Sequence, residues 1–125
     1  MNSANCVFCG ISRERMIAEN DMCFAMYDDF PVSKGHVLII PKRHVADYFC
    51  LTEDEVMAIQ TIMRELKLKL DAEFSPDGYN VGINVNEAAG QTVFHVHVHL
   101  IPRYKGDVEN PKGGVRGVIP DRQKY

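Results

Sequence analysis

No apolar run in this 125-residue sequence approaches the ~20 residues that a membrane span requires, and no low-complexity block, internal repeat or interdomain linker interrupts it. Positive charge is also in short supply. Fourteen basic residues stand against 17 acidic ones, a net charge of −3, which excludes a protein held on nucleic acid by bulk positive charge. Local donors must therefore hold any anionic ligand. The opening residues, Met1-Asn2-Ser3-Ala4-Asn5, carry neither the basic n-region nor the apolar h-region of a signal peptide. No leader and no membrane partner are expected, and the cytoplasm is the expected compartment. With 46% hydrophobic and 25% charged residues, the chain reads as a single domain over 1–125. Such a domain can bury roughly two-thirds of its unfolded surface without a disulfide framework.

Four cysteines and five histidines are present, and neither set is scattered. In a reducing compartment, Cys6-x-x-Cys9 reads as a metal site or a redox pair. Cys23 lies in the apolar run Cys23-Phe24-Ala25-Met26-Tyr27 and Cys50 sits between Phe49 and Leu51, so both are expected as small buried hydrophobes. Residues 23–28 and 36–41 read as strands separated by the turn-forming Pro31, Ser33 and Gly35. Thr52-Glu53-Asp54-Glu55 has the form of a capping box, followed by Val56, Ile59, Met63, Leu66 and Leu70 at helical spacing. This predicts a helix to about Phe74, stopped by Ser75-Pro76-Asp77-Gly78. A third strand is expected over 79–85, then a loop (Asn86 to Thr92), then a fourth strand from Val93 to Ile101. After Pro102 the chain becomes polar and glycine-rich, a tail over 106–125 that is draped on the surface or engaged with a partner. Strands, one long helix and more strands predict an α+β fold with an antiparallel sheet.

In His95-Val96-His97-Val98-His99 the histidines alternate with hydrophobes, so a strand would place the three rings on one face. Two chemistries compete. In one, all three rings bind one metal, but on a flat strand the outer two lie roughly 13 Å apart at Cα, whereas zinc ligands converge to about 2.0–2.1 Å from one ion. Alternatively, the central imidazole is a nucleophile, able to take phosphorus near neutral pH when its other nitrogen is held as a donor. His97 is then the nucleophile and His99 orients it or the substrate. The preceding Gly90-Gln91-Thr92, with Asn84 at the end of the earlier strand, supplies neutral donors suited to phosphate oxygens.

His95-Val96-His97-Val98-His99-Leu100-Ile101 resembles the signature of the histidine triad superfamily of nucleotide hydrolases and transferases. Phe24 to Asp28, Gly35 to His44 and Gly90 to Val93 resemble further segments of that family, so the likeness covers nearly the whole chain. The resemblance implies a five-stranded antiparallel sheet with one long and one short helix, a homodimer with a continuous ten-stranded sheet, and a purine nucleotide as small-molecule partner. It also implies a two-step reaction that needs no metal for its chemistry. His97 falls on the nucleophile that forms a nucleotidyl-histidine, and His99 and His36 on histidines framing it. Asn84, Gly90, Gln91 and Thr92 fall on the phosphate and leaving-group loop, Asp28 on the carboxylate that takes the ribose, and Val7, Phe8 and Met26 near the base.

Some branches of the family carry a Cys, Cys, His, His zinc site at positions matching Cys6, Cys9, His44 and His95. Two thiolates and two imidazoles would close a tetrahedral structural zinc and staple the segment 1–16 to the sheet; a redox pair is the alternative. Gln91-Thr92 and the run from His99 to Asp107 resemble the dinucleoside polyphosphate hydrolases, where Arg103 and Lys105 either neutralise a polyphosphate or form a solvated strand end. The tail departs from the phosphoramidase branch, and the chain has no tryptophan, which leaves the leaving group open between these two branches. A nucleotide-binding regulatory module and a zinc-stapled interaction protein are the competing classes.

Overall fold

A computed structural model describes residues 5–125; residues 1–4, which open the expected stapled segment 1–16, lie outside the described residues. Five strands, β1 (Ala18–Glu19), β2 (Cys23–Tyr27), β3 (Val37–Pro41), β4 (Gly78–Ile83) and β5 (Val98–Arg103), form one antiparallel sheet in the order β1-β2-β3-β5-β4. One α-helix, α1 (Glu53–Phe74), covers it. The expected short second helix is absent among the described residues. Short 3-10 turns, including Tyr48–Cys50 and Glu87–Ala89, do the turning instead. The α1 helix is not long and apolar enough to cross a membrane.

The strands β2 and β3 are buried on both faces, which is why they read as continuous apolar runs. Cys23, Ala25, Val37, Ile39, Val98 and Leu100 face Ile59, Ile62, Leu66 and Leu70 of α1. Each fully buried aliphatic side chain there contributes about 1.5–3 kcal/mol. Ile62 was not part of the expected stripe; the buried line runs through Glu55, Ile59, Ile62, Leu66 and Leu70. On the opposite face Phe24, Met26, Leu38 and Ile40 pack with Phe8, Ile11, Met16 and Val93. Because β5 alternates as well, His99 belongs to this second face, paired in register with Leu38.

The capping box forms as its sequence requires. Thr52 Oγ1 accepts from the Glu55 backbone N–H at 3.1 Å, and Glu55 Oε1 accepts from the Thr52 N–H at 2.9 Å. Glu55 is buried and also accepts two bonds from Arg43, at 3.0 and 2.7 Å. The Arg43 guanidinium holds the Glu55 carboxyl down to about 2 against its burial. Arg43 thereby ties the chain after β3 to the start of α1. At the other end Gly35 (φ +86°) lies so close to Phe74 and Pro102 that a Cβ would sit 3.0 Å from the Phe74 ring, so only glycine fits this turn.

Three local expectations change. Cys50 is exposed rather than buried, because it ends a 3-10 turn that also leaves Phe49 in solvent. Cys23 is buried as expected, and burial raises its thiol to about 11. The fourth expected strand, 93–101, joins the ladder only at Val98, so residues 93–97 approach the sheet without pairing into it. The tail is draped: two 3-10 turns, Gly114–Val118 and Pro120–Arg122, are closed by Arg116 donating to the carbonyls of Gln123 (3.2 Å) and Arg122 (2.9 Å).

Candidate active site and metal centre

A cleft of about 460 Å³ opens on the sheet face away from α1, between the ends of β2 and β4 and the segment before β5. Val7, Phe8, Met26, Asp28, Asn84, Gly90, Gln91, Thr92, His97 and His99 line it, which brings together residues from five separate stretches of the sequence. His36 lies buried behind His99, with its ring centroid 5.2 Å from the His99 ring. Asp29, Phe30, Leu38 and Val93 also line the cleft and were not anticipated. Leu38 was the findable one, since it shares a strand face with Ile40 two residues on. Phe30 is a loop aromatic at 86% exposure, with no pattern around it to mark it.

Hydrogen bonding fixes how each histidine can act. The His97 Nδ1–H donates to the His95 carbonyl at 2.9 Å, so the lone pair is on Nε2. The Val32 backbone N–H donates to His36 Nδ1 at 3.1 Å, so neutral His36 carries its proton on Nε2. That proton goes to His99 Nδ1 at 2.9 Å, which leaves His99 with its own proton on Nε2. Two bonds to backbone and one between rings thus set one lone-pair nitrogen and one donor on neighbouring rings, whose centroids lie 5.2 Å apart. Asp28 approaches this pair, with Oδ2 at 3.4 Å from His36 Nε2, while its Oδ1 accepts from the Phe30 N–H at 2.9 Å.

Burial lowers the pKa of His36 against the pull of Asp28. Burial, then His97 and His36, push His99 down to about 4, again against Asp28. The unfolded chain takes up this proton near pH 6.5, the ordinary histidine value, and the folded chain only near 4. Between those values the unfolded state holds more protons, so folding stability falls as pH drops from about 6.5 to 4. Denaturant midpoints at pH 7.5, 5.5 and 4.5 should therefore decline in that order, with a shallower decline in His99→Gln. An equal decline in the variant would count against the buried neutral His99.

The expected phosphate loop is built on Gln91. Its buried side chain accepts from the Asn86 N–H at 2.8 Å and donates to the carbonyls of Ala46 (2.8 Å) and Val93 (3.2 Å). The amide therefore shapes the loop, while Thr92 next to it is exposed on the cleft. Gly90 (φ +95°) ends the 3-10 turn in a left-handed conformation that glycine adopts freely. Arg103 is elsewhere. It is locked to Asp107 (2.8 Å) and Asn80 (2.6 Å), outside the histidine cleft, and does not offer itself to a phosphate there.

The two remaining histidines, His44 and His95, form a second centre with Cys6 and Cys9. Cys6 Sγ lies 3.3 Å and Cys9 Sγ 3.5 Å from His95 Nδ1, Cys9 Sγ lies 3.3 Å from His44 Nδ1, and the two Nδ1 atoms are 3.2 Å apart. A tetrahedral zinc, with Zn–S about 2.3 Å and Zn–N about 2.0–2.1 Å, separates S and N ligand atoms by about 3.5–3.6 Å, within a few tenths of an ångström of these distances. The four donors fit such an ion in type, number and spacing, and all lie within 4.8 Å of one another. His95 Nε2 donates to the Pro41 carbonyl at 2.7 Å, which leaves Nδ1 free to bind metal. This is the closed set expected of a structural metal, with no open position for water.

Known proteins resemble this chain in sequence and in fold. The chain is 38% identical over 109 residues to an uncharacterised 16.1 kDa HIT-like protein of Mycoplasma pneumoniae, covering 84% of this chain and 76% of that protein. It is 36% identical over 100 residues to the bis(5'-adenosyl)-triphosphatase of Dictyostelium discoideum, covering 80% of this chain and 67% of that one. The crystal structure of a zinc-bound histidine triad family protein from Mycobacterium smegmatis superposes with a TM-score of 0.75 at 32% identity, covering 85% of this chain and 80% of that one. The HIT domain model matches residues 11–106, a span that contains all five histidines and the whole sheet, and the chain belongs to the HIT domain family.

Proposed function

We propose that this protein is a nucleotide hydrolase that cleaves at the α-phosphorus of a purine nucleotide conjugate, a dinucleoside polyphosphate or a nucleoside phosphoramidate. The observation that carries the reading is the His97 Nδ1–H bond to the His95 carbonyl, which places the lone pair of the ring's neutral form on Nε2, at a nucleotide-sized cleft. His97 Nε2 attacks phosphorus, the bond to the leaving group breaks, and a nucleotidyl-histidine forms. A phosphate leaving group departs as an anion and an amine takes its proton from water, while the His99 Nε2–H donates a hydrogen bond to the departing atom. Water then attacks the same phosphorus, returns His97 as a neutral ring and releases the nucleoside monophosphate. Thr92 and Asn84 supply neutral donors to the phosphate oxygens, Gln91 holds their loop, and Asp28 takes the ribose hydroxyls. Val7, Phe8 and Met26 wall the base. The metal centre supplies stability to the N-terminal segment and no step of the reaction.

The name of the Dictyostelium relative favours a dinucleoside polyphosphate as substrate. The position of β4 at the edge of the sheet, with Val81 45% exposed, supports a homodimer that continues the sheet. A reducing compartment such as the cytoplasm keeps Cys6 and Cys9 available to metal.

The test is incubation of the metal-loaded protein with diadenosine polyphosphates and with an adenosine phosphoramidate. AMP and an acid-labile nucleotidyl-protein trapped on His97 are the expected products. Nucleotide binding without turnover of either substrate would replace this reading with a regulatory nucleotide-binding module.

A further inference from the structure

The segment that carries His97 is not held by the sheet. The β5 ladder begins at Val98, and residues 93–97 approach it unpaired, so the position of the nucleophile depends on contacts made outside the strand. Those contacts converge on the metal centre by three routes. The carbonyl that fixes the His97 tautomer belongs to His95, whose ring is one of the four donors. The Val96 N–H donates to the Val45 carbonyl at 2.7 Å, and Val45 directly follows the donor His44. Phe8, held between the donors Cys6 and Cys9, packs its ring edgewise on His95 (centroids 5.9 Å) and on His97 (5.0 Å).

We propose that occupancy of the Cys6, Cys9, His44, His95 centre sets the orientation and tautomer of His97, with His95 and Phe8 as positioning residues, so that metal loss disarms the nucleophile in a chain that stays folded. The inference rests on His97 being the nucleophile and adds what controls it. One ring of His95 faces the ion while the carbonyl of the same residue faces His97, so a turn of that residue on metal loss moves both. The folded remainder is available: the core between α1 and the sheet contains none of the four donors.

The direct test needs no substrate. Long-range ¹H–¹⁵N spectra of histidine-labelled protein, with His97 assigned through His97→Asn, report the tautomer with zinc bound and after chelation. We expect a single Nδ1–H tautomer with zinc and a mixture without it, in protein whose circular dichroism is retained. A pure Nδ1–H tautomer in folded, metal-free protein overturns the proposal. If chelation unfolds the chain, exchange of zinc for the larger cadmium ion reads the same coupling: His97 resonances shift if it exists, and unchanged resonances overturn it. In Phe8→Leu, which keeps all four donors, zinc stoichiometry should hold while kcat falls about tenfold. A change in KM alone would make Phe8 only a wall of the base pocket and overturn its positioning role. These outcomes separate from the reading above, since failure to release AMP in the zinc protein leaves the tautomer measurement intact.

Discussion

His97→Ala should release AMP from either class of substrate at least about 1,000-fold more slowly than the wild type, because removal of a covalent nucleophile removes the route itself and not one of its supports. No other ring can replace it. His36 is buried and has both nitrogens bonded, to the Val32 N–H and to His99. His99 accepts at Nδ1 and so presents a proton, not a lone pair, on Nε2. His95 is turned to the metal centre and to Pro41. The variant should keep its fold, since His97 is only half-buried and neither of the two core clusters includes it. Thermal unfolding and one equivalent of zinc per chain control for that. A variant that hydrolyses as fast as the wild type would falsify the nucleotidyl-histidine route.

Metal removal should give the second large effect, on stability. An ion that binds only the folded chain, present at about a hundred times its Kd, adds about 2.7 kcal/mol. For a domain of this size that corresponds to a loss on the order of 10 °C in Tm on chelation. The loss should be local at first. Phe8 and the partly buried Cys6 belong to the smaller core with Phe24, Met26, Leu38 and Ile40, so that face loosens while the core under α1 holds. Hydrogen exchange should therefore accelerate around residues 6–16 and 93–97 well before α1. Metal analysis showing less than roughly a tenth of an equivalent per purified chain would leave the tetrahedral site without an ion. An unchanged Tm after chelation would show that the four donors do not bear on folding.

Much of the fold could be read locally. The capping box at Thr52 and the stop at Ser75 bound α1 as drawn from the sequence, because both depend on neighbours within a turn. The exposed Cys50 could not be read that way. Its neighbours Phe49 and Leu51 suggest burial, yet the Asp47-capped 3-10 turn holds Phe49 at 80% exposure. The Arg43 to Glu55 pairing, the pairing of Arg103 with Asp107 and Asn80, and the backbone bonds of Gln91 were equally invisible. Each depends on where two segments meet, and a charged or amide side chain looks the same in sequence whether it is aimed at solvent, at a ligand or at a carbonyl.

By itself the sequence determined which chemistry is available: alternating histidines before a phosphate-compatible loop, a pair of thiols at metal-binding spacing, and too little positive charge for anything but a locally held anion. Only the tertiary structure decided how that chemistry is divided. It brings His36 to His99 across 63 residues and Cys6 to His95 across 89, because β3 lies beside β5 and the N-terminal segment packs on the far face of the same sheet. Periodicity states which side chains can share a face. It does not state where a ladder begins, and here the ladder begins at Val98, one residue after His97 and three after His95. That offset lets one histidine serve the metal, the next carry the lone pair, and the third receive its proton order from His36, just ahead of the strand beside it.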